Sequence, residues 1–246
     1  MAHWLCSKAV PRTVVVIPTY NERENIRRIL PAVLAATECE VVVVDDDSPD
    51  GTAAVVTELA AADPRIHLVN HRPKMGIGPA YKEGFKAALA LAPELIIQMD
   101  ADFSHAPEML PRFVALAADN DLVLGSRYLD GITVVKWPMG RLMLSYFGNA
   151  YVRWVTGLQV RDATGGFKCW RRDALAAIEP QRVRSNGYAF QIETTYRAYL
   201  RKLRIREVPI IFMDREVGES KMSKRIGLEA LWIVIWLRLA NLMGRL

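Results

Sequence analysis

The chain has 246 residues, with 32 Lys and Arg against 27 Asp and Glu, a formal charge of +5. Its 51% apolar and 24% charged content excludes a disordered, collagenous or coiled-coil chain and fits a globular protein with a sizeable core. The small positive excess suits anionic partners without saying which. One oddity stands beside it: the chain is slightly apolar overall, mean hydropathy +0.08, yet has no membrane-length apolar run.

The longest apolar stretch, Leu231–Leu237, is stopped by Arg238, well short of the roughly 18–20 residues a bilayer span needs. The first residues, MAHWLCSKAV, lack a charged leader followed by a long apolar stretch, so no signal peptide is expected. Cys6, Cys39 and Cys169 are isolated and show no C-x-x-C spacing, which reads as free thiols in a reducing cytoplasm.

In chain order, Thr13–Ile17 reads as a strand closed by Pro18. Arg23–Ala36 follows as a helix, with Ile26, Ile29, Leu30, Val33 and Leu34 at helical spacing. Val41–Val44 is a second strand, Gly51–Ala62 a helix, Ile66–Asn70 a third strand, and Gly76–Leu91 a helix entered through a Gly-x-Gly turn. Leu95–Met99 is a fourth strand, Pro107–Ala118 a helix with Pro at its start, and Leu122–Gly125 a fifth strand. Apolar strands between amphipathic helices predict an α/β fold with a mostly parallel sheet covered on both faces. Beyond it, Arg141–Thr156 is rich in aromatic and aliphatic residues, and a turn at Ala163–Phe167 precedes helices near Arg172–Ile178 and Tyr188–Leu200. Arg204–Met213 reads as a strand that Pro209 places at an edge, Asp214–Ile226 as a basic loop and Leu228–Leu246 as a helix.

In open α/β sheets, ligands bind beyond the carboxyl ends of the strands. Four polar clusters fall there: Pro18–Glu22, Asp45–Asp50, Asp100–Asp102 and Ser126–Arg127. Adjacent carboxylates such as Asp45-Asp46-Asp47 repel one another unless a cation or hydrogen-bond donors satisfy them. They read either as polar recognition of a base or sugar with help in holding a metal, or as a turn with Asp50 capping the next helix. The carboxylates of Asp100-Ala101-Asp102 reach one ligand from neighbouring positions and suit a hard cation such as Mg²⁺ or Mn²⁺. His105 reads as an incidental loop residue more readily than as a ligand, and Gly76-Ile77-Gly78 lacks the rest of a nucleotide-loop signature and reads as a turn. Arg127, Arg141, Arg215, Lys221, Lys224 and Arg225 are candidates to pair with phosphate, and Gly218–Lys221 reads as a loop that covers one.

The segments Val16–Glu22, Val42–Thr52, Met99–Asp102, Gly125–Tyr128 and Gly218–Lys221, in that order, resemble the family 2 glycosyltransferases, and more narrowly the polyprenol- or dolichyl-phosphate mannose synthases. The resemblance implies a GT-A fold and inverting transfer of mannose from GDP-mannose to a polyprenyl phosphate. It implies that Pro18, Tyr20, Glu22, Val44 and Asp46 contact the nucleotide and that Asp100 and Ala101 lie beside it. Asp102, with Asp100, would bind Mg²⁺ or Mn²⁺. Asp102, Asp100 and Arg127 would be catalytic, Arg127, Arg215 and Lys221 would meet the diphosphate, and Arg127, Arg141 and Lys221 the acceptor phosphate. Where some members carry a second metal-ligating Gln, this chain has Ser104, a weaker ligand that water would replace. The Q-x-x-R-W signature of processive synthases is absent, which argues for transfer of a single sugar.

These readings make residues 1–246 one catalytic domain: 12–130 the nucleotide-sugar half, 131–226 the acceptor side, and 227–246 an interfacial or docking helix. Tyr146, Phe147, Tyr151, Trp154, Trp232 and Trp236 are candidates for the bilayer interface, with Lys221–Arg225 as a basic patch; a core or dimer helix is the alternative reading of the last segment. The expected partners are GDP-mannose, a polyprenyl phosphate, the cytoplasmic face of a membrane and a membrane-embedded protein, with no nucleic acid. A family 2 transferase using UDP-glucose, or a non-catalytic nucleotide-binding protein at a membrane, are the alternatives.

Overall fold

The computed structural model describes residues 10–213 and 224–246, with only the backbone of 224–230. The first half alternates strand and helix: β1 (Thr13–Thr19), α1 (Arg23–Ala36), β2 (Glu40–Asp45), α2 (Thr52–Ala62), β3 (Ile66–Asn70), α3 (Ile77–Ala90), β4 (Leu95–Gln98), α4 (Leu110–Leu116) and β5 (Leu122–Ser126). The second half adds β6 (Val134–Val135), α5 (Met139–Thr156), β7 (Lys168–Arg171), α6 (Arg172–Ala177), α7 (Gly187–Leu200), β8 (Ile205–Pro209), β9 (Phe212–Met213) and α8 (Lys224–Leu242).

Seven strands form one sheet in the order β3-β2-β1-β4-β7-β5-β8, and β6 pairs with β9 in a separate ribbon. All neighbours in the large sheet are parallel except β7, which runs antiparallel between β4 and β5. The alternation of a strand explains how two helical layers cover it. Val15, Ile17, Val41 and Val43 face one side, against Ile26 and Ile29 of α1 and Val55 of α2. Val14, Val16, Val42 and Val44 face the other, against Tyr81 and Phe85 of α3 and Phe190 of α7. Burying each such side chain contributes about 1.5–3 kcal/mol, so the valine runs drive this part of the fold. Helix α3 lies so close that a Cβ on Gly84 would stand 2.3 Å from Val16 Cγ1.

The structure corrects the chain-order reading in several places. The strand β7 was not anticipated, because Lys-Cys-Trp-Arg follows a turn and puts a lysine where an apolar residue belongs. The helix expected from Pro107 begins as a short 3₁₀ turn, Pro107–Met109, before α4. Pro209 does lie in an edge strand, β8. The terminal helix begins at Lys224 and packs through Val234 and Leu237 in a third apolar cluster with Val152 of α5 and Tyr196 of α7. Trp236 and Tyr151 are half-buried there, and Tyr151 Oη donates to the Leu231 carbonyl at 3.2 Å, so these two aromatics join helices to one another. Tyr146, Phe147, Trp154 and Trp232 are exposed, Trp154 at 84%. Among the described residues, no helix is long and apolar enough to cross a membrane.

Candidate active site

The carboxyl ends of β1, β2, β4 and β5 open onto one cleft of about 470 Å³. Pro18, Tyr20, Glu22, Asp46, Asp100, Ala101, Asp102, Arg127 and Arg141 line it, which brings together nine of the residues expected at the site. Val44 does not line it. Strand alternation turns its side chain into the core beside α3, where it is fully buried. Arg215 and Lys221, with the basic segment around them, lie outside the described residues.

The carboxylate run after β2 is satisfied by donors. Asp45 is buried and accepts from Thr19 Oγ1 at 3.1 Å and from the Ser48 amide at 3.0 Å. Asp46 accepts from the Met75 and Gly76 amides at 3.0 and 2.8 Å and pairs with His71 Nδ1 at 2.8 Å, fixing the loop that forms one wall of the cleft. Asp47 meets Arg72 at the surface, 3.3 Å away. Asp50 accepts from the Thr52 amide and from the Arg23 amide; it stands one residue before Gly51, the N-cap of α2, so it closes the turn into the helix and ties it to α1 rather than capping it as the sequence suggested. The loop therefore binds the ends of β1, β2 and α3 together, and among the described residues no group of three or more His, Cys, Asp or Glu gathers as a metal site.

Asp100 and Asp102 stand beyond the end of β4, at the middle of the sheet. Tyr81 Oη donates to Asp100 Oδ1 at 3.3 Å; burial, then the Asp100 charge, pushes this phenol well above its ordinary value, so it stays a donor. The Asp100 amide donates to His105 Nδ1 at 3.0 Å, which leaves the ring proton on Nε2. His105 is buried against Phe167, with ring centroids 4.8 Å apart, and supports the acidic turn rather than standing free in a loop. Ser104 gives both its amide (3.1 Å) and its hydroxyl (2.6 Å) to Asp102 Oδ1, which orients that carboxylate. Two carboxylates with this spacing suit a hard divalent cation that completes its shell with substrate phosphate oxygens and water.

Arg127 follows β5, as expected, but its charge is already matched. The guanidinium Nε and Nη2 reach the two oxygens of Asp162 at 2.6 Å each, Nη2 also donates to Thr164 Oγ1 at 2.7 Å, and both charged residues are buried. Burial disfavours both charges; their mutual attraction outweighs it, raising the arginine and holding the Asp162 carboxyl below its usual range. Trp137, Tyr128 and Phe212 surround the guanidinium, with its carbon 5.3–5.5 Å from their ring centres. Arg141, 4.1 Å above Trp137, is the less buried cation on this wall.

Sequence reasoning missed Asp162, Thr164, Trp137, Asn186, Tyr188 and Gln191. Asn186 Oδ1 accepts from the Gly78 amide at 2.9 Å and its Nδ2 donates to the Met75 carbonyl at 2.9 Å, tying the α3 entry to the start of α7. Beneath it, Glu193 accepts from the Ser185 amide and hydroxyl and pairs with Arg197 at 2.9 Å. The signal that pointed here was Lys168, a charged residue in an otherwise apolar stretch: it is fully buried, and burial pushes its ammonium well below the ordinary lysine value.

The chain resembles known proteins along most of its length. The chain is 47% identical over 215 residues to polyprenol monophosphomannose synthase of Mycolicibacterium smegmatis, covering 86% of this chain and 81% of that one. It is 44% identical over 220 residues to undecaprenyl-phosphate mannosyltransferase of Micrococcus luteus, covering 89% and 90%. Among solved structures, the Pyrobaculum calidifontis mannosyltransferase in complex with GDP-Man and Mn²⁺ shares the fold at TM-score 0.58 and 21% identity, over 97% of this chain and 73% of that one. Glucosyl-3-phosphoglycerate synthase of Mycobacterium tuberculosis, in complex with phosphoglyceric acid, does so at TM-score 0.65 and 16% identity, over 94% and 81%. The domain model of glycosyl transferase family 2 matches residues 14–178, and the chain belongs to that family.

Proposed function

We propose that this glycosyltransferase moves mannose from GDP-mannose to a polyprenyl monophosphate with inversion, releasing GDP. The observation that carries the reading is the convergence of Tyr20, Asp46, Asp100, Asp102 and Arg141 on one cleft at the strand ends, in a chain nearly half identical to two polyprenyl-phosphate mannosyl transferases. The nucleotide lies along the ends of β2 and β1, the diphosphate at Asp100–Asp102, and the acceptor phosphate toward Arg141 and Trp137.

A phosphate monoester is anionic near neutral pH, its second pKa being about 6, so it attacks the sugar carbon without a strong general base. The chain's own task is to hold two anions in line and keep water out. Arg141 supplies positive charge on the acceptor wall, and the Arg127–Asp162 pair holds Trp137 and Phe212 around it. Asp102, oriented by Ser104, and Asp100, oriented by Tyr81, would hold Mg²⁺ or Mn²⁺. Such an ion neutralises the charge that develops on the departing GDP.

The same reading makes the chain one catalytic unit working at the cytoplasmic face of a membrane, beside a membrane-embedded partner. Helix α8 supports it: one side packs on α5 and α7, and the other leaves Leu231, Trp232, Ile235 and Leu239 exposed beside Arg238, apolar residues with a cation as at a membrane surface. Purified protein given GDP-mannose or UDP-glucose, a divalent metal and a short polyprenyl phosphate tests the reaction. Polyprenyl-phosphate mannose is the expected product, and glucose transfer alone would select the rival donor.

A further inference from the structure

We propose that Gln191 is a sugar-selecting residue that donates a hydrogen bond from its side-chain amide to a hydroxyl of the transferred sugar; this rests on the donor reading above. Gln191 sits one turn into α7 and is 4% exposed, yet it lines the cleft. A buried glutamine can present either its oxygen or its nitrogen to a ligand, and here its neighbours decide which.

An indole N–H only donates, so Trp170 Nε1, 2.7 Å from Gln98, fixes the Gln98 oxygen toward itself. The Gln98 nitrogen therefore points at Gln191, where it donates to Oε1 at 3.4 Å. Lys168 Nζ donates to that same Oε1 at 2.9 Å, and also to the Gln191 carbonyl at 2.9 Å and Thr194 Oγ1 at 3.0 Å. Turning the amide over would face its NH₂ with the NH₂ of Gln98, whatever the charge on Lys168. The oxygen is thus held inward and the nitrogen is turned the other way. A Cβ built on Gly166 would lie 3.5 Å from Nε2, and Gly166 lines the cleft with no side chain to cover it.

The position suits the sugar. Gly166 also adjoins His105, whose Nδ1 accepts from the Asp100 amide, so Nε2 lies in the cleft close to the acidic turn. A neutral donor at that point matches a hydroxyl. Lys168 and Gln98 are positioning residues that set its direction. This gives the unusual buried lysine a purpose the core does not require.

The test compares GDP, GDP-mannose and GDP-mannose analogues lacking one hydroxyl, by calorimetry, on the wild type, Gln191→Met and Gln191→Glu. The glutamate variant keeps the oxygen that Lys168 and Gln98 hold. One deoxy analogue should bind the wild type about tenfold more weakly than GDP-mannose, the size of one hydrogen bond; that penalty should vanish in the methionine variant with GDP affinity within twofold, and change in the glutamate variant, where a carboxylate oxygen accepts from the hydroxyl in place of the amide donating to it. Where the methionine variant loses GDP binding, the glutamate variant carries the comparison. Equal binding of all analogues by the wild type, or a penalty unchanged in the variants, would overturn the proposal. A wild type that binds UDP-glucose but no guanine nucleotide would instead overturn the donor reading.

Discussion

Replacing Asp162 by alanine should destabilise the protein more than any other single change at the rim of the cleft. The carboxylate is fully buried and accepts from Arg127 Nε and Nη2 at 2.6 Å each, from the Arg127 amide at 3.0 Å and from Thr164 Oγ1 at 3.2 Å. Its removal strands a guanidinium of which only 6% of the side chain is exposed, with Thr164 as its remaining polar partner on that side. Breaking a buried pair in this way costs about 3–5 kcal/mol. With a urea slope of about 2–3 kcal/mol per molar, the unfolding midpoint falls by roughly 1–2.5 M. The folded Asp162 pKa is depressed, so its contribution is fully present above the unfolded value of about 3.9 and is lost as pH falls through the folded value. The difference between variant and wild type should therefore be flat from pH 5 to 8 and shrink only below about pH 4. The double variant Arg127→Met with Asp162→Leu should regain most of the stability, because no charge is left buried alone. A loss under 1 kcal/mol in Asp162→Ala, or no recovery in the double variant, would show that the pair does not hold this wall together.

Other consequences follow from the same geometry. Asp102→Ala should abolish transfer while leaving the urea midpoint near wild type, and chelation of divalent metal should do the same reversibly; wild-type turnover in metal-replete buffer would remove Asp102 from the chemistry. Gly84→Ala places a Cβ 2.3 Å from Val16 Cγ1 and should cost about 1–3 kcal/mol in a denaturation curve, with no effect expected only if α3 shifts freely. Phe147→Ser with Trp154→Ser should weaken flotation with anionic liposomes without lowering the melting temperature, since both side chains are exposed. Undiminished flotation would take α5 out of the membrane-facing surface.

Much of this was legible in the sequence, for identifiable reasons. The valine runs of β1 and β2 are buried on both faces, so their apolar continuity marks a parallel sheet, and polar residues just past each run mark the rim. Asp100 and Asp102 could be read because a strand end precedes them. The roles within the rim were less legible. Nothing local shows that Asp45 and Asp50 stitch loops together while Asp46 fixes residues 75–76, because their donors lie up to 30 residues away. The partner of Arg127 lies 35 residues on, and Gln191 meets Gln98 across 93. Strand β7 escaped because its lysine breaks the apolar pattern, and that lysine is there to hold a glutamine rather than to fill the core. Tyr151 and Trp236, read as bilayer-facing, turn inward because α5 and α8 pack on each other, a contact that no local pattern announces.

The decisive measurement is product analysis with purified protein, GDP-mannose, Mg²⁺ or Mn²⁺ and a short polyprenyl phosphate. Formation of a polyprenyl-phosphate mannose of inverted anomeric configuration, dependent on the metal and absent in Asp102→Ala, is the predicted result. No mannosyl product under those conditions, or the same product from Asp102→Ala, would contradict the assignment of this cleft.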